Sequence, residues 1–205
     1  MRLTKYGHAC VRLETGDRSL VIDPGIYSEP ESLYGVAAVL VTHEHDDHLD
    51  AGKLAAARAA NPDITVHAPA DVASELGDWV TPVEAGDTVS AAGFTVRVVG
   101  GRHADIVDGL PGCPNVGFVV EGIYHPGDSL FLPDESIETL LVPVAGPWLH
   151  LGRAVEFTRT VKPGRAIAIH DATMNDRGFE NVDWWLENHG GAPYTRLAPG
   201  ASVDL

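Results

Sequence analysis

The sequence has few basic residues. Only 14 Lys and Arg stand against 29 Asp and Glu, and the formal net charge is −15 over 205 residues. Proteins that bind nucleic acids neutralise phosphates with Lys and Arg, and the chain contains no run of basic residues. We therefore expect no nucleic-acid partner. Bound cations would offset part of the negative charge, so a small anionic substrate is not excluded.

Cysteine and long apolar runs are also scarce. Cys10 and Cys113 lack the paired spacing of a thiolate metal site or a redox motif, so both are predicted to be reduced, buried thiols. No apolar run approaches the roughly 20 residues that span a bilayer, and the N-terminus lacks the apolar core of a signal peptide. We expect a cytoplasmic protein with no membrane partner. No linker or repeat interrupts the chain, which predicts a single domain, 1–205.

Short apolar runs between Gly- and Pro-containing turns predict many strands with a few helices among them. The predicted strands are residues 2–6, 9–14, 19–23, 37–42, 64–68, 87–91, 94–99, 116–121, 123–125, 140–143, 165–169 and 195–197. The predicted helices are residues 54–60, 69–76, 152–161 and 181–189, and residues 26–35 are predicted to form a loop. Two mixed sheets with helices outside would bury the apolar runs, which is an α/β (α+β) fold.

The most informative stretch directly follows the predicted strand at 37–42. It contains four candidate metal ligands: His43, His45, Asp47 and His48. Neutral imidazole binds zinc, copper, iron and nickel, and carboxylates add negative charge that can hold a second ion. The alternative is a solvated acidic turn with incidental histidines. The i, i+2, i+5 spacing of the histidines beside an aspartate favours a metal site.

Three further candidate ligands follow apolar runs elsewhere in the chain: His103, Asp128 and His170. Functional side chains favour strand ends, where loops converge on a rigid scaffold. Seven ligands exceed the usual four of a zinc site. They suit two ions that share a bridging carboxylate and a bridging hydroxide, about 3.5–4 Å apart. The residues therefore predict a dinuclear centre.

A known family has a similar set of motifs. The motifs are His43-x-His45-x-Asp47-His48, Gly-Arg-His103, Gly-Asp128-Ser, the strand-terminal His170 and the early Val-Ile-Asp23-Pro-Gly. Together they resemble the metallo-β-lactamase-fold hydrolase superfamily over nearly the whole chain. The compact length and the His125-Pro-Gly-Asp context also resemble its ascorbate-6-phosphate-lactonase-like branch. The resemblance implies a single domain that forms a four-layer αββα sandwich of two mixed sheets with outer helices.

The same resemblance implies an assignment of the ligands. His43, His45 and His103 would hold the first metal, Asp47, His48 and His170 would hold the second, and Asp128 would bridge them. Diiron oxidoreductases of this superfamily carry Glu where this chain has His45, so zinc-type hydrolysis is favoured. The ligand set alone does not fix the metal. We expect two divalent ions per chain, Zn²⁺ first, with Mn²⁺ or Fe²⁺ as alternatives.

The predicted function is that of a dinuclear metal-dependent hydrolase. A metal-bridging hydroxide would attack an ester-like bond of a small substrate, with a lactone or a phosphodiester as the leading classes. One alternative is an iron-dependent oxidoreductase on the same fold. The other is a non-catalytic metal-binding protein.

Several further residues are candidates for catalysis or substrate binding. Asp47 could orient the nucleophile as well as bind metal, and Asp128 could relay a proton to the leaving group. His125 and His150 are candidates for proton transfer or substrate contact, because histidine often acts as a general acid. Trp148 is a candidate for a pocket wall.

The remaining polar residues near the motifs have supporting or structural interpretations. Asp23 either supports a ligand or forms an Asp-Pro-Gly turn, and Asp50 is predicted to cap the following helix. His8, His67 and His189 have no companion ligands in the sequence and are interpreted as structural or surface residues. The expected partner is a small-molecule substrate, and the sequence leaves a homo-oligomer open.

Overall fold

The computed structural model describes residues 1–108, 110 and 112–205. Its strands are β1 (Arg2–Lys5), β2 (Val11–Thr15), β3 (Arg18–Ile22), β4 (Ala38–Leu40), β5 (Thr65–Ala68), β6 (Val80–Pro82), β7 (Thr88–Ala91), β8 (Phe94–Gly100), β9 (Val116–Val120), β10 (Ile123–His125), β11 (Thr139–Pro143), β12 (Arg165–Ile169), β13 (Tyr194–Thr195) and β14 (Ser202–Asp204). Its helices are α1 (Ala51–Ala60), α2 (Ala70–Leu76), α3 (Leu151–Val161) and α4 (Asp176–His189), with a short 3₁₀ helix at Pro30–Leu33.

The strands form two seven-stranded sheets with the same plan. The first sheet has the order β14-β1-β2-β3-β4-β5-β6, and the second has the order β13-β12-β11-β10-β9-β8-β7. In the first sheet the pairs from β14 to β3 are antiparallel and those from β3 to β6 are parallel. In the second sheet the pairs from β7 to β10 are antiparallel and those from β10 to β13 are parallel. Both sheets are mixed, as predicted.

Three apolar clusters define four layers. The central cluster joins inward-facing residues of both sheets, among them Leu40 and Phe118, so the sheets pack face to face. A second cluster packs Val39 of the first sheet against Leu54 of α1 and against α2. A third cluster packs the other face of the second sheet against α3 and α4. This arrangement confirms the predicted αββα sandwich.

Helix boundaries follow local capping. The side chain of Asp50 accepts a hydrogen bond from the Lys53 amide and caps α1, as predicted. The predicted helix 181–189 begins earlier, because Asn175 accepts from the Gly178 amide and starts α4 at its next residue. Within the described part of the chain, no helix is long and apolar enough to cross a membrane.

The largest departures from the predicted elements are in short segments. The predicted loop 26–35 contains the 3₁₀ helix, which has a proline in its first turn. The predicted strand 195–197 corresponds to β13, which ends at Thr195. The edge strands β6 and β14 are absent from the predicted set, and each has only three residues. Such short segments carry too little periodicity to be recognised alone.

Strand direction determines which loops meet. β1, β3 and β4 run the same way in the first sheet, as do β8, β10 and β12 in the second. Backbone hydrogen bonds join the loops of the two sheets. The Val116 amide donates to the Thr42 carbonyl at 3.0 Å, and the His170 amide donates to the His8 carbonyl at 3.0 Å. The loops that follow these strands are therefore gathered at one edge of the sandwich.

Candidate metal centre

Two groups of candidate ligands lie at this edge. In each group the ligand atoms lie within 4.8 Å of one another. The first group consists of His43, His45, His103 and Asp128, and the second group consists of His8, Asp47, His48 and His170. The structure thus brings together all seven predicted ligands. It adds one residue that the sequence did not reveal, His8.

Asp128 lies between the two groups. Its Oδ1 is 3.0 Å from His48 Nε2 and 3.1 Å from His170 Nε2, both in the second group. Its Oδ2 is 3.3 Å from His103 Nε2 in the first group. Each carboxylate oxygen therefore faces a different group, as a bridging carboxylate requires.

The polar atoms at the centre fit divalent metal ions. Five buried atoms of the candidate ligands have no hydrogen-bond partner among the described residues: His48 Nε2, His103 Nε2, His170 Nδ1, His170 Nε2 and Asp128 Oδ1. A buried polar atom without a partner costs free energy, so native proteins rarely leave several together. Imidazole nitrogen and carboxylate oxygen are also the donors that zinc, iron and related ions prefer. The residues present therefore fit two such ions.

Asp23 holds two of the histidines in orientation. Its Oδ2 accepts a hydrogen bond from His48 Nδ1 at 2.6 Å and another from the Thr42 hydroxyl at 2.7 Å. That hydroxyl lies 2.9 Å from His43 Nδ1, from which it can accept. Because Nδ1 of each ring is engaged, Nε2 is left for a metal. The supporting interpretation of Asp23 therefore fits the geometry.

The other two histidines of the first group are oriented differently. His103 Nδ1 donates to the Ala104 carbonyl at 2.5 Å, which leaves Nε2 facing Asp128. His45 is only partly buried, and its Nδ1 lies 3.1 Å from His43 Nε2. His45 Nε2 points away, 3.9 Å from Cys113 Sγ. His45 can therefore bind through Nδ1, whereas the other two offer Nε2.

His8 supports the second group through Asp47. The Ala172 amide donates to His8 Nδ1 at 3.1 Å, so the neutral ring carries its proton on Nε2. His8 Nε2 then donates to Asp47 Oδ2, 3.1 Å away. Burial lowers the pKa of His8, although the hydrogen bond to Asp47 opposes the shift, so the ring is neutral. We interpret His8 as a donor that orients a ligand.

A signal for His8 is present in the sequence. His8 follows β1, and β1 runs in the same direction as β4, which delivers His43. The rule that found the later ligands, a polar side chain just after a strand, also applies to His8. The pairing of β1 in the sheet was needed to show that its end lies at the same edge.

The protonation of the histidines differs between the groups. Burial, followed by the charges of neighbouring histidines, lowers the pKa of His43 and His45. Burial would also lower the pKa of His48 and His170, but nearby carboxylates outweigh it and raise the pKa of both rings. Asp128 acts on both rings, Asp23 adds to its effect on His48, and Asp47 adds to its effect on His170. Without metal, His43 and His45 are therefore neutral, whereas His48 and His170 retain protons.

Both carboxylates are ionised. Burial would raise the pKa of Asp47, but its contacts with the His170 and His8 rings lower it below its usual range. Burial would likewise raise the pKa of Asp128, but the charge of His48 and the contact with the His103 ring lower it well below its usual range. The centre therefore offers two negative charges to cations.

Backbone strain is concentrated at the site. Six non-glycine residues in the described part of the chain have positive φ, and three of them are His8 (48°), Asp23 (54°) and His170 (60°). Such conformations cost free energy and persist where surrounding contacts hold them. At Asp23 the contact is the hydrogen bond that its carboxylate accepts from the His48 ring. At His8 and His170 it is the hydrogen bond that the His170 amide donates to the His8 carbonyl.

Two cavities open onto the centre and share His45. The larger, about 470 Å³, lies beside the second group and is lined by Tyr27, His45, Asp46, Asp47, Gly146, Pro147, His170 and Thr173. The smaller, about 210 Å³, lies beside the first group and is lined by His45, His103, Ile106, Leu110, Gly112 and Cys113. Both volumes are in the range of small-molecule sites or somewhat below it.

The predicted catalytic histidines lie elsewhere. His125 is fully buried, and its Nε2 donates to the Ala9 carbonyl at 2.9 Å while its Nδ1 accepts from the Gly127 amide at 3.1 Å. His150 is exposed at the N-terminus of α3. Neither residue belongs to a ligand group or to the described lining of the two cavities. The geometry does not support the predicted catalytic roles of these two residues.

Trp148 contacts the centre through a hydrogen bond. Its Nε1 donates to Asp128 Oδ2 at 2.7 Å, and its ring lies edge-on to His103 and His170. A Cβ at Gly146, where φ is 133°, would lie 2.8 Å from the same Nε1. Glycine at position 146 therefore allows the indole to reach the shared carboxylate.

Comparison with known proteins agrees with this geometry. The family model of the beta-lactamase superfamily domain matches residues 2–170. Protein Rv0786c of Mycobacterium tuberculosis is 38% identical over 181 residues, which cover 85% of each chain. A UPF0173 metal-dependent hydrolase of Natranaerobius thermophilus is 29% identical over the whole of both chains. The solved structure of Igni18, a metallo hydrolase from Ignicoccus hospitalis, has the same fold, with a TM-score of 0.76, 20% identity and coverage of 98% of this chain and 97% of that one. The chain therefore belongs to the metallo-β-lactamase superfamily of metal-dependent hydrolases.

Proposed function

We propose that the chain is a dinuclear hydrolase that cleaves an ester-like bond of a small substrate. The three histidines of the first group would hold one ion, and Asp47, His48 and His170 would hold the other. Asp128 would bind both ions. Zn²⁺ is the metal we propose, because position 45 provides an imidazole, and Mn²⁺ and Fe²⁺ are the alternatives.

The position of Asp128 is the observation that carries this proposal. One oxygen of its carboxylate faces His48 and His170, and the other faces His103. A single ion in either group would leave the buried, unpartnered nitrogen of the opposite group uncompensated. Two ions satisfy both groups at once.

The protein residues have separate tasks around the ions. Two divalent ions, when bound, supply a water nucleophile at neutral pH and polarise the carbonyl or phosphoryl oxygen of a substrate. Asp23 and the Ala104 carbonyl fix the rings of His48 and His103 through Nδ1. His8 and Trp148 donate hydrogen bonds to the two carboxylate ligands. These contacts hold the ligand atoms in place before metal or substrate binds.

Asp47 is the carboxylate that we expect to face the substrate. Its side chain is 23% exposed and lines the larger cavity, whereas that of Asp128 is 3% exposed. Because the pKa of Asp47 lies below its usual range, it remains an acceptor at neutral pH and can orient water. Asp128 has both oxygens directed at ligand groups, so its geometry favours bridging over proton relay to a leaving group.

Metal reconstitution tests this function. The full-length chain is stripped with a chelator and reloaded with Zn²⁺, Mn²⁺ or Fe²⁺. Bound metal per chain is then measured by mass spectrometry, and hydrolysis is followed on a panel of carboxylic esters, lactones and phosphodiesters. We expect two ions per chain and hydrolysis of at least one class, lost on chelation and restored by metal. His189→Gln, on the exposed end of α4, is the matched control and should behave as the unmodified chain does.

Two outcomes would contradict the proposal in different ways. Binding of one ion per chain at saturation would exclude the dinuclear centre. Binding of two ions without hydrolysis of any class would indicate the non-catalytic metal-binding alternative.

A further inference from the structure

The two cavities beside the centre differ in what they offer a substrate. They meet at His45, so a molecule whose reactive bond lies beside the ligand groups could extend into both. The larger cavity carries the acidic side chains Asp46 and Asp47. The smaller one has Ile106, Leu110 and Cys113 opposite the histidines. The residues that line the two cavities can therefore indicate which of the proposed substrate classes, esters, lactones or phosphodiesters, the site prefers.

Neither cavity has a Lys or Arg among its described lining residues. The basic side chains next to the site in sequence are each paired with an acidic side chain. Lys5 is buried in an ion pair with Asp171, beside His170. Arg102, next to His103, pairs with Asp105 at 2.6 Å.

Lys53 is also engaged near the entrance. Its Nζ donates to the carbonyls of Gly25, Ile26 and Ser28 at 2.9, 3.2 and 2.7 Å. Arg and Lys side chains, together with metal ions, are the usual means by which proteins stabilise phosphoryl groups. Beyond the two proposed ions, a phosphate group would meet no Lys or Arg among the described lining residues, and it would lie beside the exposed carboxylate of Asp46.

The smaller cavity suits an alkyl group. Ile106 is 42% exposed and Leu110 is 61% exposed, which leaves apolar surface beside His45 and His103. Burying that surface against an alkyl chain would remove apolar area from water and would therefore be favourable.

We infer that the preferred substrate is an uncharged carboxylic ester or lactone, rather than a phosphodiester, and that its alkyl chain lies against Ile106 in the smaller cavity. This inference rests on the proposed function. In the reaction, the oxygen of water bonds to the carbonyl carbon and the bond from that carbon to the alcohol oxygen breaks. The proton of water ends on the departing oxygen, so ester plus water gives acid plus alcohol.

Three probes with the same leaving group test the inference: p-nitrophenyl acetate, p-nitrophenyl hexanoate and bis(p-nitrophenyl) phosphate. With the metal-loaded, full-length chain, we expect kcat/KM for the hexanoate to exceed that for the acetate by about tenfold, because part of four methylene groups is buried. The phosphodiester should be at least about 100-fold poorer than the hexanoate, because no Lys or Arg lines the described part of either cavity and its negative charge would lie beside Asp46.

Variants at two adjacent residues localise the effect. Ile106→Ser should lower the hexanoate-to-acetate ratio by about fivefold, through the loss of apolar contact. Val107→Ser is the matched control, because Val107 is 56% exposed and lies outside the described lining of both cavities. It should leave the ratio unchanged.

The possible outcomes distinguish failure of this inference from failure of the proposed hydrolase function. Preferred hydrolysis of the phosphodiester would overturn the inference and leave the hydrolase proposal standing. An equal rate with the two esters, or a ratio insensitive to Ile106→Ser, would do the same. Failure to hydrolyse any probe, together with failure on the wider panel, would remove both.

Discussion

The two ligand groups use similar side chains but are held in different ways. In the first group, three histidines are oriented by a hydroxyl, a backbone carbonyl and a cysteine, and two of them are kept neutral by burial. In the second group, His48 and His170 lie beside carboxylates and retain protons. The second group also has its own outer donor, His8.

This difference bears on how the two proposed ions would bind. A metal entering the first group meets free imidazole nitrogens. A metal entering the second group must displace protons from His48 and His170, since only the neutral ring binds metal. The comparison predicts two ions with different dependence on pH and on outer hydrogen bonds.

Removing the shared carboxylate should have the largest effect. Asp128→Asn replaces the carboxylate whose two oxygens face the two groups, so both proposed ions should bind more weakly. Activity should fall by more than about 100-fold, the upper end of what an outer partner costs. Calorimetric metal titration and kcat/KM measure the two effects. Asp134→Asn, at an 88% exposed side chain, is the matched control. If Asp128→Asn weakened only one ion, the bridging role would be wrong.

Removing the outer donor should affect one group alone. His8→Leu deletes the hydrogen bond to Asp47, and we expect about 10- to 100-fold weaker binding of the second ion. Binding of the first ion should not change. His8→Gln retains a donor and should recover part of the loss. Competition with a zinc-sensitive chelator resolves the two affinities. Equal weakening of both ions would show that His8 stabilises the fold in general.

Lower pH should release the second ion first. The raised pKa values of His48 and His170 keep these rings protonated above the usual value for histidine, near 6.5. Affinity for the second ion should therefore fall by about tenfold per pH unit for each displaced proton as pH decreases. His43 and His45 have lowered pKa values, so they stay neutral and the first ion should change less. Metal titrations at pH 6.5 and 7.5 would reveal this difference, and a parallel loss of both ions would refute it.

The smallest effect is expected at the indole that touches Asp128. Trp148→Phe removes one hydrogen bond to Oδ2 and should weaken metal binding by less than about tenfold. Tryptophan emission should change on metal binding in the unmodified chain, and that change should be lost in the variant. Trp185→Phe, at a 42% exposed residue of α4, provides the control. A metal-dependent signal that survives in Trp148→Phe would assign it to another tryptophan.

Much of this centre could be predicted from the sequence, because the strand at 38–40 and its histidines are adjacent in the chain. His103, Asp128 and His170 could be predicted because each follows an apolar run within a few residues. His8 could not, since its role depends on the pairing of β1 and on a contact with the distant Ala172.

The limits of the fold prediction have the same origin. β14 pairs with β1 at the opposite end of the chain, and its three residues have no distinctive pattern alone. The direction of the His125 ring depends on the Ala9 carbonyl, more than a hundred residues away. Local patterns indicate which residues are candidates, and long-range pairing decides which of them face the centre.

A crystal structure of the zinc-loaded chain, with anomalous diffraction at the zinc edge, tests the central claim most directly. We predict two anomalous peaks per chain, one in each ligand group, with Asp128 contacting both and His8 contacting Asp47 rather than metal. A single peak, or an Asp128 carboxylate that touches only one ion, would contradict the account.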